Sequence, residues 1–336
     1  MSSISHDQIA TFCASIGDNP LLVQGSGGNV SWKDENTLWV KASGMWLAHA
    51  EVKSIFVPVD LIALEKAISL GNFLESPRIK IDSPLRPSIE TILHALLPHP
   101  IVVHIHAIEV LSFLVLRYPN SAFNQLQERM NEPLVLIPYR QPGAELASTI
   151  VSILQGKRSI RCLLLQNHGV VLGASSISEI YNLINSLRLA CQEIIGRISF
   201  PIYNTQSIKQ LTGYLLPEDP EINTLSLNPE WYKRLKNDWV LFPDHAVFLG
   251  SKAFFFSNNE EFYDFLNKNP APQLVFIKNE GVYYHPSFTK TQKIQLRCYL
   301  DLLQHTNPNS ELNPLGAKEI SNLLNWDAEK FRQQHS

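Results

Sequence analysis

The sequence has no Cys-x-x-Cys pair, no large excess of either charge and no long apolar run. Its four cysteines, Cys13, Cys162, Cys191 and Cys298, lie far apart, which argues against a zinc ribbon and supplies no disulfide framework. Cys162 and Cys191 fall in apolar stretches, where a free thiol behaves as a small hydrophobe. A formal net charge of -3 and a pI near 6.4 give no general attraction to nucleic acid or an anionic membrane. No uninterrupted apolar run approaches the roughly 18 residues that mark a spanning helix. The opening Met-Ser-Ser-Ile-Ser-His-Asp-Gln has neither a basic nor an apolar signal region. A cytoplasmic protein with no nucleic-acid or membrane partner is therefore expected. The glycine patterns G-x-x-x-x-G-K-[ST] and G-x-G-x-x-G before a helix are also missing, which weakens any nucleotide reading.

What is present begins with 336 residues, 45% hydrophobic and 18% charged, enough to bury a sizeable core in one large domain or two ordinary ones. The informative stretch is Val102-Val103-His104-Ile105-His106-Ala107. In an extended strand, side chains two apart share a face, so His104 and His106 project side by side. A second apolar run, Cys162 to Gln166, ends at Asn167-His168-Gly169, where glycine eases a turn. Three histidines leave the fourth corner of a divalent ion open to water or substrate, the pattern of a catalytic zinc site. Histidines satisfied by backbone hydrogen bonds are the other reading.

Helices are expected over residues 5–17, with Ile9, Phe12, Cys13 and Ile16 at helical spacing, and over 59–70. Between them, Gly25-Ser26-Gly27-Gly28-Asn29 enters a β-hairpin that leads to Lys41-Ala42-Ser43-Gly44. Backbone N–H groups, the Ser26 and Ser43 hydroxyls, the Asn29 amide and the Lys41 ammonium could close around a phosphate or carboxylate. Ordinary tight turns and a solvated lysine are the alternative. Pro84 to Ser88 opens a helix that places Glu90 in its first turn and His94 four residues on, on the same face, where it could be a further ligand or support one. A carboxylate near a metal can act as general base. Compensation of the helix dipole is its plain alternative.

Taken in order, Gly27-Gly28-Asn29-Val30-Ser31, Lys41-Ala42-Ser43-Gly44, Ser88-Ile89-Glu90, His104-Ile105-His106 and Asn167-His168-Gly169 resemble the class II aldolase and adducin family over about residues 6 to 200. With Pro-Tyr-x-x-Pro-Gly at Pro138 to Gly143, the pattern looks most like the aldolase part of bifunctional rhamnulose-phosphate aldolase/alcohol dehydrogenase-like proteins, without the dehydrogenase part. The resemblance implies a three-layer α/β/α fold with a mainly antiparallel central sheet, joined here to a small C-terminal α/β extension. It implies that His104, His106 and His168 bind a divalent metal, usually Zn2+, and that Glu90 moves a proton at the carbon next to a carbonyl. Gly28, Asn29, Ser43, Gly44 and Ser88 match positions that hold the phosphate of a ketose phosphate. Ile89 stands where a second serine is common, a departure that bears on that phosphate site. The implied activity is carbon–carbon cleavage or formation in a sugar phosphate or related hydroxy-ketone. Epimerase, decarboxylase or dehydratase chemistry on the same site, and a non-catalytic adducin-like binding role, are the alternatives. A homo-oligomer, by preference a tetramer, is implied as well. Tyr139 could protonate a departing aldehyde oxygen, or simply be packed.

Residues 178–199 read as a helix with Ile180, Leu183, Ile184, Leu187 and Cys191 on one stripe. Residues 201–229 read as a linker, leaving 1–200 as the aldolase-like domain and 230–336 as an accessory α/β region. There, strands are expected near 240, 247, 254, 275 and 282, with Asp244 and His245 between two of them, where the pair could bind something or simply be structural. Leu274 to Tyr283 aligns by eye with Cys162 to Val171, Glu280 replacing the histidine, followed by a helix over 288–304. That alignment is either a degenerate repeat or chance. Ile320, Leu323, Leu324 and Trp326 mark a terminal helix.

Overall fold

The protein is seen in a computed structural model that describes residues 5–155, 159–196, 201, 203–205 and 208–335. Seven strands form one sheet: β1 (Asn29–Asp34), β2 (Thr37–Lys41), β3 (Phe56–Asp60), β4 (Ile101–Ile105), β5 (Leu134–Ile137), β6 (Cys162–Leu165) and β7 (Gly169–Ala174). Their order is β3-β2-β1-β4-β7-β6-β5. Every neighbouring pair is antiparallel except β5 and β6, so the sheet is mainly antiparallel. Helices α1 (His6–Gly17), α2 (Leu61–Ser69), α3 (Thr91–Leu96), α4 (Ile108–Leu114), α5 (Pro119–Arg129), α6 (Ala144–Leu154) and α7 (Ile177–Ile195) cover it. Residues 197–199, expected as the end of α7, lie outside the described residues.

Alternation along the strands sorts the two faces. Val30, Trp32, Val103 and Ile105 pack with residues of α1, α4 and α7. Val102, Leu163, Leu165 and Val171 pack with α3 and α6 on the other face, and Leu38, Val40, Val57 and Val59 pack there with α2. The result is three layers, α/β/α. Helix starts follow local chemistry: Ser5 and Gln8 form a capping box on α1, and Asp60 and Ser176 cap α2 and α7.

The C-terminal region adds α8 (Thr224–Leu227), α9 (Pro229–Asn237), α10 (Pro243–Leu249), β8 (Phe255–Phe256), α11 (Asn259–Leu266), β9 (Leu274–Ile277), β10 (Gly281–Tyr284), α12 (Lys290–Gln304), α13 (Ala317–Asn325) and α14 (Asp327–His335). Two sequence expectations are corrected here. No strand lies at 240 or 247: the run Trp239 to Phe242 is buried without strand pairing, and Pro243 starts a helix that contains Val247. A short apolar run buried on all sides carries no period that separates strand from helix. Asp244 and His245 therefore lie in the first turn of α10, not between strands. The described part of the expected linker from Leu211 on is built into the core as well. Leu211, Tyr214, Ile222 and Leu225 are buried, and Leu215 bridges to Tyr284.

The small sheet runs β10-β9-β8, with β9 antiparallel to β10 and parallel to β8. This repeats the relation of β6 to β7 and β5, and the hairpin register is the same: Leu165 opposes Gly169 as Ile277 opposes Gly281. Asn167 and Asn279 take the matching left-handed conformation, with φ of 55° and 60°.

One face of α4 joins the two parts. Ile108, Leu111 and Val115 belong to the cluster that contains Trp231, Phe242, Leu296 and Leu323, while Val110, Phe113 and Leu114 face the larger sheet's core. Among the described residues no helix is long and apolar enough to cross a membrane. Leu111→Ala is expected to cost about 2–5 kcal/mol. Chemical denaturation followed by far-UV circular dichroism should show one shifted transition, because the shared core fails on both sides at once.

Candidate metal centre

The site lies where β1, β4 and the β6–β7 turn meet. Register places Asn29 opposite His104 on neighbouring strands, and His106 follows one residue beyond the end of β4, its N–H donating to Leu22 O at 3.1 Å. His168 sits in the β6–β7 turn. Its neighbour must be glycine, since a Cβ at Gly169 would lie 2.6 Å from Ile105 O and 2.8 Å from His106 Cδ2. The turn thus closes directly over the strand that carries the other two histidines.

His104, His106 and His168 are all buried, and one ring nitrogen of each lies within 4.8 Å of those of the others. His104 Nε2 and His106 Nε2 are 3.0 Å apart. The Glu90 carboxylate spans the group, with Oε2 3.4 Å from His104 Nε2 and Oε1 3.4 Å from His168 Nε2. Donors about 2.0–2.2 Å from a tetrahedral ion lie about 3.4 Å from one another. The three histidines and Glu90 therefore fit a divalent metal, and the donor chemistry, imidazole with one carboxylate, suits zinc among others.

The charges agree. Burial lowers His106 to about 3 and His168 to about 4, against the pull of Asp244 and Glu90, so both rings are neutral at neutral pH and offer lone pairs. Burial alone would raise Glu90, but His104, His168 and the Asn29 amide outweigh it and hold the carboxyl at about 2. Its ionised form is kept in place by a chain of hydrogen bonds. Asn29 Nδ2 donates to Glu90 Oε2 at 2.9 Å, His94 Nε2 to Asn29 Oδ1, and the Ser31 hydroxyl to His94 Nδ1 at 2.7 Å. Glu90 Oε1 has no hydrogen-bond partner. His94 is thus a support for Asn29 and not a further ligand. Ser31 closes the motif Gly27 to Ser31 but was given no role of its own in the sequence, although it shares the face of Asn29 two residues earlier.

A cavity of about 30 Å3 remains beside the histidines, lined by Ser26, Gly28, Asn29, Lys41, Ser43, Gly44, Ser88 and Glu90, so the structure brings these residues to one place. Ser26 and Ser43 have buried hydroxyls without partners. Lys41 differs from the expectation: its Nζ donates to Ser26 O at 2.9 Å and Met45 O at 2.6 Å, strapping one glycine turn to the other. Burial and then Arg332 lower it to about 7. Tyr139 is not brought to the site. Its ring packs against the C-terminal core, its hydroxyl is buried without a partner, and it does not line the cavity. Proline-rich spacing placed it in the right loop but gave no direction for the ring.

Three further residues complete the wall: Asp244, expected from the sequence between two strands, and, from α14, Glu329 and Arg332, which were not singled out there. Gln295 Nε2 lies 3.5 Å from Asp244 Oδ2. The Arg332 guanidinium bonds Asp244 Oδ1, and its Nε donates to Glu329 Oε2 at 2.6 Å. Burial would raise Asp244, but Arg332 and His106 hold it at about 2. Proximity across more than 80 positions leaves no mark in local spacing. A larger cavity of about 660 Å3, lined in part by Glu109, Tyr203 and Trp231, contains none of the histidines.

A family model described as the class II aldolase and adducin N-terminal domain matches residues 7–195. Among curated proteins, the uncharacterized oxidoreductase YuxG of Bacillus subtilis (strain 168) is 26% identical over 202 residues, 55% of this chain and 29% of that protein. The chain thus spans less than a third of that relative's length. Among solved structures, the N-terminal class II aldolase domain of a conserved protein from Thermoplasma acidophilum shares 26% identity, with 58% of this chain and 95% of that one covered and a TM-score of 0.49. YgbL from Klebsiella pneumoniae, a putative aldolase/epimerase/decarboxylase, shares 20% identity over 56% of this chain and 87% of that one, with a TM-score of 0.42.

The Lys41 environment makes a testable demand on pH. A lysine whose folded pKa lies near 7 and whose unfolded value is 10.5 is neutral in the fold while the unfolded chain still binds its proton. Stability therefore rises with pH between these values, by up to about 1.4 kcal/mol per unit. Relative to Lys41→Met, the parent should gain denaturant resistance from pH 7 to pH 9; parallel curves would mean that Lys41 stays charged.

Proposed function

Since the chain belongs to the class II aldolase and adducin family, we propose that it is a zinc-dependent lyase that cleaves or forms a carbon–carbon bond in a sugar phosphate or related hydroxy-ketone. The observation that carries this reading is the Glu90 carboxylate, poised 3.4 Å from the Nε2 atoms of both His104 and His168. His104, His106 and His168 would hold the metal, which when bound supplies a Lewis acid that stabilises negative charge on the carbonyl and hydroxyl oxygens of an enediolate.

The chain's own residues supply the rest. Glu90 moves the proton at the carbon next to the carbonyl, and Oε1 is the oxygen that carries it, because Oε2 is engaged by Asn29. The relay from Ser31 through His94 to Asn29 fixes the carboxylate's orientation, so the base is preorganised. Ser26, Gly28, Asn29, Ser43, Gly44 and Ser88 form the cradle for an anionic group of the substrate, with Lys41 bracing its two turns. Ile89 removes one hydroxyl from that cradle. A cavity of about 30 Å3 is far below the roughly 300–1,000 Å3 of ligand pockets, so substrate entry requires α14, with Glu329 and Arg332, to withdraw. The working form is a homo-oligomer, by preference a tetramer, in the cytoplasm. Residues 230–336 act as an accessory unit on the aldolase-like one. The oxidoreductase name of YuxG concerns a protein most of which lies outside the match.

Protein purified without a metal-binding tag should carry close to one divalent ion per chain, zinc foremost, and His104→Ala/His106→Ala should lose it while remaining folded. Ketose 1-phosphates incubated with the loaded enzyme should release an aldehyde and a three-carbon ketone phosphate. Glu90→Gln should keep the protein folded and lower turnover by about 10²–10⁴-fold. A parent that takes up no divalent ion on reconstitution would shift the weight to a non-catalytic binding role.

A further inference from the structure

The C-terminal region reaches the histidine cluster at two points. The first is the turn that carries His168. Asn167 Nδ2 donates to Leu241 O at 2.9 Å and to Asn313 O at 2.6 Å, while its Oδ1 accepts from Asn313 Nδ2 at 3.2 Å. The second is Asp244, buried in the first turn of α10. Its Oδ2 lies 3.6 Å from His106 Nδ1, a buried nitrogen with no hydrogen-bond partner. Arg332 holds the other carboxylate oxygen and is itself bonded to Glu329, and the Gln295 amide approaches Oδ2.

The placement of hydrogens gives this geometry a consequence. His104 Nδ1 faces Val170 O at 3.1 Å, so the neutral tautomer that fits carries its hydrogen there and leaves Nε2 bare. If His106 carries its hydrogen on Nε2, it bonds His104 but turns a bare Nδ1 toward the Asp244 carboxylate. If the hydrogen is on Nδ1, it faces Asp244, and two bare Nε2 atoms lie 3.0 Å apart, ready to share a cation. Carboxylates that accept from the outer nitrogen of a ligating imidazole fix both its tautomer and its ring angle.

We propose that Asp244 is a positioning residue of the metal centre: it holds His106 with the hydrogen on Nδ1 and Nε2 free, with Arg332 and Glu329 fixing Asp244 in turn. The C-terminal region thereby keeps the ligand set in its binding form. This rests on the metal-dependent reading above. Gly27 fits the same purpose. A Cβ there would lie 3.0 Å from Asp244 Oδ2 and 3.3 Å from His106 Nδ1, against both members of the pair.

The test is metal affinity, measured on the full chain stripped of metal. Zn2+ is titrated in competition with a chromophoric chelator, and Co2+ is followed by its visible absorption. In Asp244→Asn, Arg332 draws the amide oxygen and leaves the NH2 toward His106, so zinc affinity should fall about 10–100-fold and the cobalt bands should shift. Far-UV circular dichroism checks the fold. Asp244→Asn with the parent's affinity and cobalt spectrum overturns the proposal. Should that variant fail to fold, Gly27→Ala decides, since it leaves every charge in place: weakened zinc binding supports the role of the pair, and unchanged binding overturns it. A parent that binds neither ion overturns the metal-dependent reading itself and this proposal with it.

Discussion

Imidazole nitrogens crowded into a buried space repel one another unless a proton or a cation lies between them, and much of this molecule is arranged around that constraint. β4 brings His104 and His106 to one end of the sheet, the β6–β7 turn lays His168 over them, and Glu90 adds negative charge from the start of α3. Burial keeps the His106 and His168 rings neutral, which preserves their lone pairs. It also makes the cluster costly to leave empty, because a buried polar atom without a partner forfeits its hydration. The supports follow from this. Asn29, His94 and Ser31 restrain the carboxylate, and Asn167 restrains the third histidine by bonds to Leu241 and Asn313.

The parts of the site that could be read from the sequence are those whose chemistry is local. His-x-His in an apolar strand states its own geometry, since two residues along a strand is one face. Asn-His-Gly at the end of an apolar run states a turn, and Asn167 does take a left-handed conformation there. Glu90 was read into the first turn of a helix opened by Pro84 to Ser88, whereas the helix starts at Thr91 and Glu90 is the residue just before it. The seven-stranded order was not legible, because strand patterning fixes which residues face inward but not which strands are neighbours. The family resemblance supplied the architecture instead.

The C-terminal region shows where such reading stops. Its hairpin at β9 and β10 was visible because it shares the Asn-x-Gly turn and apolar run of β6 and β7. The segment from Trp239 to Leu249 was misread because it is almost wholly buried, and an apolar run surrounded by protein has no polar side to reveal its period. Arg332 and Glu329 were not singled out, and Asp244 was named without a place beside the histidines, for a different reason. Each is an ordinary charged residue in its local context, and only the packing of α10 and α14 against the glycine turns gives them a common place.

On the proposed function, the docking of α14 also sets a thermodynamic tax on recognition. Any molecule that enters beside the histidines competes with Glu329 and Arg332, so its observed affinity is the intrinsic one multiplied by the fraction of molecules whose helix has let go. Each 1.4 kcal/mol of docking free energy weakens every such ligand about tenfold alike. Loosening the helix without moving Asp244 would therefore tighten all such substrates in parallel while leaving their ranking unchanged. On the proposed function, discrimination between substrates would belong to the glycine turns and the histidines, and the absolute scale of binding to a helix more than a hundred and fifty residues further along the chain.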